Sequence, residues 1–153
     1  MPFMNENDAI TGKHAKAFIT INGQVEELFY ARSLEATIEK NKSDVPVLGK
    51  TNVGQKAVGW TGSGTMNIYY VTSLFRRMML DYIKTGRDFY FDLQVTNEDP
   101  TSRAGRQTVV LKNCNLDSVV AASFDATSDE ALNEDVSFTF DDYDILEQFT
   151  PLA

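Results

Sequence analysis

A chain of 153 residues, 42% of them hydrophobic, is the size of one domain with its own core. No apolar run approaches the ~20 residues of a membrane helix, and the lone Cys114, read as a buried thiol, excludes an internal disulfide or a cysteine-based zinc site. The net charge of −8 is uneven, with ten acids and no lysine or arginine over residues 113–153, which argues against a surface that grips phosphate.

Two readings of that acidity stay open, a surface that repels DNA or one that only keeps the chain soluble. Residues 1–14 are polar and are expected to form a flexible or inter-subunit arm. They contain neither a basic n-region nor an apolar h-region, so no secretory signal is expected, in keeping with synthesis in a cytoplasm.

Ala17 to Ile21 and Val25 to Tyr30 flank Asn22-Gly23, a strong signal for a tight hairpin because both central positions need positive φ. Leu34-Glu-Ala-Thr-Ile38 alternates as a strand does, with Glu35, Thr37 and Glu39 facing out. Residues 40–63 are polar, basic and broken by Pro46, Gly49 and Gly54. The apolar residues scattered through them (Val45, Val47, Leu48, Val53, Val58 and Trp60) argue against plain disorder, and an extended hairpin that docks on another subunit is expected.

Gly64 to Val71 alternates strictly, with Met66, Ile68 and Tyr70 on one face. The period then becomes helical: Leu74, Phe75, Met78, Met79, Tyr82 and Ile83 form an apolar stripe, with Arg76, Arg77, Asp81 and Lys84 expected to face water. Thr72 or Ser73 caps this helix, predicted over about 73–85, and Gly86 ends it. Phe89, Phe91, Leu93 and Val95 resume the two-residue period, followed by the turn-rich loop Asn97 to Gly105. Further strands are predicted at 107–112, 116–124 and 135–140, the last two joined by the acidic connection 125–134. The fold class is mainly β, an antiparallel sandwich or barrel with one flanking helix.

No constellation capable of chemistry emerges. Gly49-Lys50-Thr51 echoes a phosphate loop, but Asp44 stands where the leading glycine should be, and Pro46 breaks the strand-to-helix context. His14 is the only histidine, so no catalytic triad forms. Asp141, Asp142, Asp144 and Glu147 are dense, yet lack the glycine and oxygen spacing of a calcium loop. A glycosidase pair such as Asp117 with Asp125 has nothing specific in its favour. No enzyme activity, cofactor or metal is expected.

Several segments carry a resemblance: Ile21-Asn-Gly23, Leu34 to Lys42, Val47-Leu-Gly49, Gly59-Trp60, Asn67 to Ser73, Met79 to Tyr82, Lys84-Thr-Gly86, Val95 to Ser102, Gly105 to Lys112 and Asp135 to Asp142. In this order, from about residue 10 to 149, they resemble the tail tube protein of Gram-positive myophages, with its defective-phage and phage-tail bacteriocin relatives. The resemblance implies one tail-tube domain over 1–153, polymerising as stacked hexameric rings inside a contractile sheath, in a virion tail or bacteriocin particle. Its partners would be further copies of itself and the sheath, tape-measure and baseplate proteins, with DNA passing through unbound. The hairpin residues Val45, Val47, Leu48, Val53, Val58 and Trp60 would make the contacts between subunits or rings. Asp117, Asp125, Asp141 and Asp142 would line an acidic lumen or surface. Two alternatives stand beside it: a ring protein of a related injection machine, and a monomeric sugar-binding sandwich presenting Trp60, Tyr69 and Tyr90.

Overall fold

The computed structural model describes residues 4–28 and 30–151; the first three residues of the expected arm and Phe29 of the expected second strand lie outside them. Eight strands and one α-helix run in the order β1 (Ala15–Ile21), β2 (Gln24–Glu27), β3 (Ala31–Pro46), β4 (Val53–Tyr69), α1 (Leu74–Thr85), β5 (Phe91–Glu98), β6 (Arg106–Ser118), β7 (Asn133–Phe140) and β8 (Asp142–Glu147). All pairings are antiparallel. The spatial order is β2-β1-β5-β6-β7-β4-β3, with β8 on β6.

Local chemistry explains the firmest elements. Asn22 (φ 53°) and Gly23 (φ 81°) are both left-handed, and Ile21 pairs with Gln24, so β1 and β2 close through a two-residue turn. At the start of α1 the Leu74 N–H donates to the Thr72 hydroxyl (3.2 Å), while Ser73 is the N-cap residue. Gly86 (φ 73°) closes the other end, its N–H donating to the Tyr82 carbonyl at 2.9 Å.

Strand β6 differs from the sequence reading. Residues 107–112 and 116 onward were expected as two strands; they form one, which bends where Asn113 adopts φ 54°. Asparagine tolerates that region, so the chain turns a corner without breaking. The Asn113 N–H donates to Asp92 Oδ1 (3.1 Å) at the irregularity opposite β5. Before the corner β6 pairs with β5 and β8, and one further β5 pair, Phe91 with Cys114, follows it; residues 115–118 then pair with β7. Among the described residues nothing pairs with 119–124, so the expected strand stops at Ser118: strand propensity without a partner ladder does not make a strand. The acid-rich Asp142–Glu147 stretch, in turn, is a strand that the sequence reading missed.

The core gathers side chains from β1, β4, β5, β6 and β7, with Phe75 and Met78 of α1 packed among them. Ile19, Met66, Ile68, Phe75, Leu93, Leu111, Val136 and Phe138 are all fully buried, each contributing about 1.5–3 kcal/mol from apolar burial. Phe75 carries the helix onto β5 through a tilted contact with Phe91, centroids 6.3 Å apart.

The described part of the expected N-terminal arm is tied to the chain's own 99–105 loop. Buried Asp8 receives both Arg103 Nε and Nη2 at 2.7 Å, the Ser102 hydroxyl donates to the Asp8 carbonyl (2.8 Å) and the Thr11 N–H donates to Asp99 Oδ2 (3.0 Å). From the other end of the chain, the Thr150 N–H donates to the Ala104 carbonyl at 2.6 Å.

Candidate assembly surfaces

The β3–β4 hairpin is the dominant surface feature. Its ladder runs from Ala31↔Ile68 to Pro46↔Val53, with an irregularity at Asn41/Lys42. The 40–63 segment is therefore regular over most of its length, and only 47–52 form the connecting tip. Strand β7 supports β4 as far as Gly62, opposite Phe140. Past that point, among the described residues, the ribbon is paired only with itself, and the eight residues 39–46 extend it by roughly 25 Å. At the tip the Lys50 N–H returns to the Val47 carbonyl (3.2 Å) and Gly49 has φ 87°, which thrusts Leu48 fully into solvent. Val45, Val47, Val53 and Val58 are exposed along it. Trp60, at the base, is 42% exposed and rests on Phe140 with centroids 6.1 Å apart. A two-stranded ribbon of this kind is marginal in water by itself.

The helix offers a second surface. Phe75 and Met78 are buried, but the stripe is only half covered: Tyr82 and Ile83 are 48 and 67% exposed, and Leu80 beside the stripe is 50% exposed. Between α1 and the end of β6 runs a groove of about 240 Å³, floored by Met79, Tyr82, Phe89 and Leu116 and edged by Asp88 and Asp117, with no base in its lining. Arg76, expected to face water, instead fixes the helix to the sheet. It is paired with Glu134, whose side chain is 1% exposed, donates to the Thr72 and Val120 carbonyls, and lies 4.3 Å from the Tyr70 ring centroid. The sequence shows a polar residue on the helix; the partner 58 residues away that draws it inward is a non-local fact.

A third surface is the face of β3, β4 and β7 turned away from the core. Register places Glu35, Thr65 and Ser137 in one row, Thr37, Ser63 and Thr139 in the next, and Ser33, Asn67 and Asp135 in a third. Asn67 Nδ2 donates to Asp135 Oδ1 (2.8 Å) and Asn133 Oδ1 (3.1 Å). These rows hold hydroxyls, amides and carboxylates, and at their end the Arg32 guanidinium donates to Asn67 Oδ1 (3.2 Å).

The four singled-out aspartates are all exposed but lie on separate segments. Asp117 is near the end of β6 beside the helix groove. Asp125 sits in the 119–132 connection, where Thr127 hydrogen bonds to its carboxylate hold its pKa below the usual range. Asp141 and Asp142 form the β7–β8 corner, the Asp141 N–H donating to the Lys112 carbonyl at 3.3 Å. Among the described residues no three His, Cys, Asp or Glu side chains gather as a metal site requires. Gly49-Lys50-Thr51 falls at the hairpin tip, away from any helix. Trp60 and Tyr69 are nine positions apart in an unbroken stretch of β4, hence on opposite faces, and Tyr69 is covered by the Arg32 guanidinium at 5.4 Å. They do not form one aromatic platform.

The fold is thus mainly β, with one flanking helix and a projecting two-stranded ribbon. The chain belongs to the phage tail tube protein family, whose model matches residues 2–147. It is 40% identical over 147 residues to the phage-like element PBSX protein XkdM of Bacillus subtilis (strain 168), covering 96% of this chain and 97% of that one. Its fold is similar to the tube-terminating cap of the anti-feeding prophage (TM-score 0.70, 14% identity, 98% of this chain and 95% of that chain). It is similar also to the SPP1 tail tube (TM-score 0.64, 10% identity, 93% and 81%).

Proposed function

We propose that this chain is the structural protomer of a hollow tail tube, stacked as hexameric rings inside a contractile sheath. The tube is a conduit for DNA or, in a headless particle, the rod that pierces a membrane. Sheath, tape-measure and baseplate proteins are its partners, and no residue has a catalytic role.

The observation that carries this reading is the β3–β4 ribbon. Its outer edge presents unpaired backbone groups that template a neighbouring strand, and its tip exposes Val45, Val47, Leu48 and Val53 without intrachain cover. Both needs are met when further copies close into a ring and stack, since a closed ring leaves no free edge. The polar rows of β3, β4 and β7 carry Glu35 and Asp135, and the Arg32 guanidinium at their end is engaged by Asn67; they suit a wall past which DNA slides, because affinity for phosphate comes largely from cations. The carboxylates of Asp117, Asp125, Asp141 and Asp142 add to the same negative field.

Electron microscopy of the purified protein tests the reading: rings and tubes of uniform width are expected, and monomers under every condition would overturn it. A shortened chain in which Asn-Gly replaces residues 42–58 keeps Trp60 on Phe140. It is expected to fold and stay soluble without polymerising.

A further inference from the structure

We propose that the groove between α1 and β6 is the receptor for the hairpin tip of a second copy of this chain. Leu48 enters its apolar floor and Lys50 meets Asp88 and Asp117 at its rim. The proposal rests on the tube reading and names the surface on which the ribbon lands.

Shape and charge support this match. The tip turn puts one apolar side chain, Leu48, at its apex with a lysine two residues on. Along the ribbon Lys40, Lys42, Lys50 and Lys56 outnumber the two acids, Glu39 and Asp44, and the tip carries Lys50 alone, so the projecting segment is cationic. The groove has the opposite character, with an apolar floor of Met79, Tyr82, Phe89 and Leu116 between two exposed carboxylates. Methionines adapt to an entering aliphatic group, and tyrosine supplies apolar area at low entropic cost. The ribbon cannot reach its own stability alone, and the α1 flank leaves Tyr82 half exposed. One contact therefore removes two exposed apolar surfaces, and charge complementarity fixes its orientation.

Charge reversal tests it in the full-length protein. The double variant Asp88→Lys/Asp117→Lys alters only exposed side chains, so its circular dichroism and melting temperature should match wild type. Its critical concentration for tube formation is expected to rise about tenfold or more. Lys50→Glu should do the same, and combining all three changes should restore assembly. Separately, Leu48→Cys with Met79→Cys should yield a covalent ladder of oligomers when tubes are oxidised.

Wild-type tubes with normal assembly of the Asp88→Lys/Asp117→Lys variant and no Leu48–Met79 cross-link would overturn the receptor assignment while leaving the tube reading intact. Failure of wild-type protein to form tubes would overturn both. A groove variant that assembles normally but fails to recruit sheath would assign the groove to that partner instead.

Discussion

Phe138 presses its ring against the backbone of Gly64 across the β4–β7 pair: a Cβ at Gly64 would lie 2.5 Å from the ring's Cζ and 2.9 Å from the Glu35 carbonyl oxygen. The ring could swing aside, but the carbonyl belongs to the β3 ladder and cannot. Gly64→Ala is therefore expected to destabilise the fold by about 2–3 kcal/mol. At Gly62 the three nearest atoms all belong to the Phe140 ring, the first at 2.5 Å, and a ring can swing aside, so Gly62→Ala should cost less, about 1 kcal/mol, while shifting Trp60. Urea unfolding of both variants checks the ranking; a Gly64→Ala protein as stable as wild type would contradict the packing.

Arg76 and Glu134 form the one ion pair among the described residues with both side chains largely buried. Removing one partner leaves the other's charge unanswered. Arg76→Met is expected to destabilise by about 3–5 kcal/mol, and the double variant Arg76→Met/Glu134→Met to recover most of that loss. Thermal and urea unfolding of the single and double variants measure it. Simple additivity of the two single effects would show that the pair is not coupled.

The N-terminal clasp should be acid-sensitive. Hydrogen bonds from the Arg103 guanidinium and the Asn5 N–H bring the Asp8 carboxyl down from 3.8 to about 2. The Thr101 hydroxyl and the Thr11 and Thr101 N–H groups depress Asp99 in the same direction. Because the folded values lie below the unfolded ones, the clasp's contribution is complete above about pH 4 and fades as pH falls through the folded values. An NMR titration of the Asp8 carboxyl carbon should give a midpoint near 2. In Arg103→Ala that midpoint should move up toward the ordinary carboxylate range; an unchanged midpoint would exclude the guanidinium as its main cause.

Cys114 should be chemically silent in the native state. Burial pushes its thiol up to about 12, and its Sγ sits 3.4 Å from the Leu111 carbonyl oxygen. Thiolate is the reacting form, so labelling at pH 8 should proceed only as fast as the protein unfolds. Rapid modification of folded protein would show that the β6 corner opens locally.

What the sequence reveals here depends on whether a signal is local. The Asn22-Gly23 turn and the Ser73 and Gly86 ends of α1 are legible because each is set by a few neighbouring residues. The half-bare helix is not, since Tyr82 and Ile83 belong to the same apolar stripe as buried Met78, and only the sheet's extent decides which are covered. β8 was concealed by composition: Asp142, Asp144 and Glu147 suggested cation chemistry, while Tyr143 and Ile145 alternate with the aspartates as strand residues do. The Asp8–Arg103 clasp joins residues 95 positions apart and leaves no trace in either neighbourhood. For the assembly surfaces, exposed valines within a polar stretch could be read directly; the helix groove could not, because it exists only where α1 crosses β6.

The corner at Asn113 has a mechanical consequence. One unbroken backbone serves β8 up to the bend, β5 as far as Cys114 just past it, and β7 from Asn115 on. A pull on either side is thus borne along covalent bonds as well as across packed side chains. Neither side can slide past the other without rupturing β6's own ladders, a stiffness on which the proposed tube role would draw.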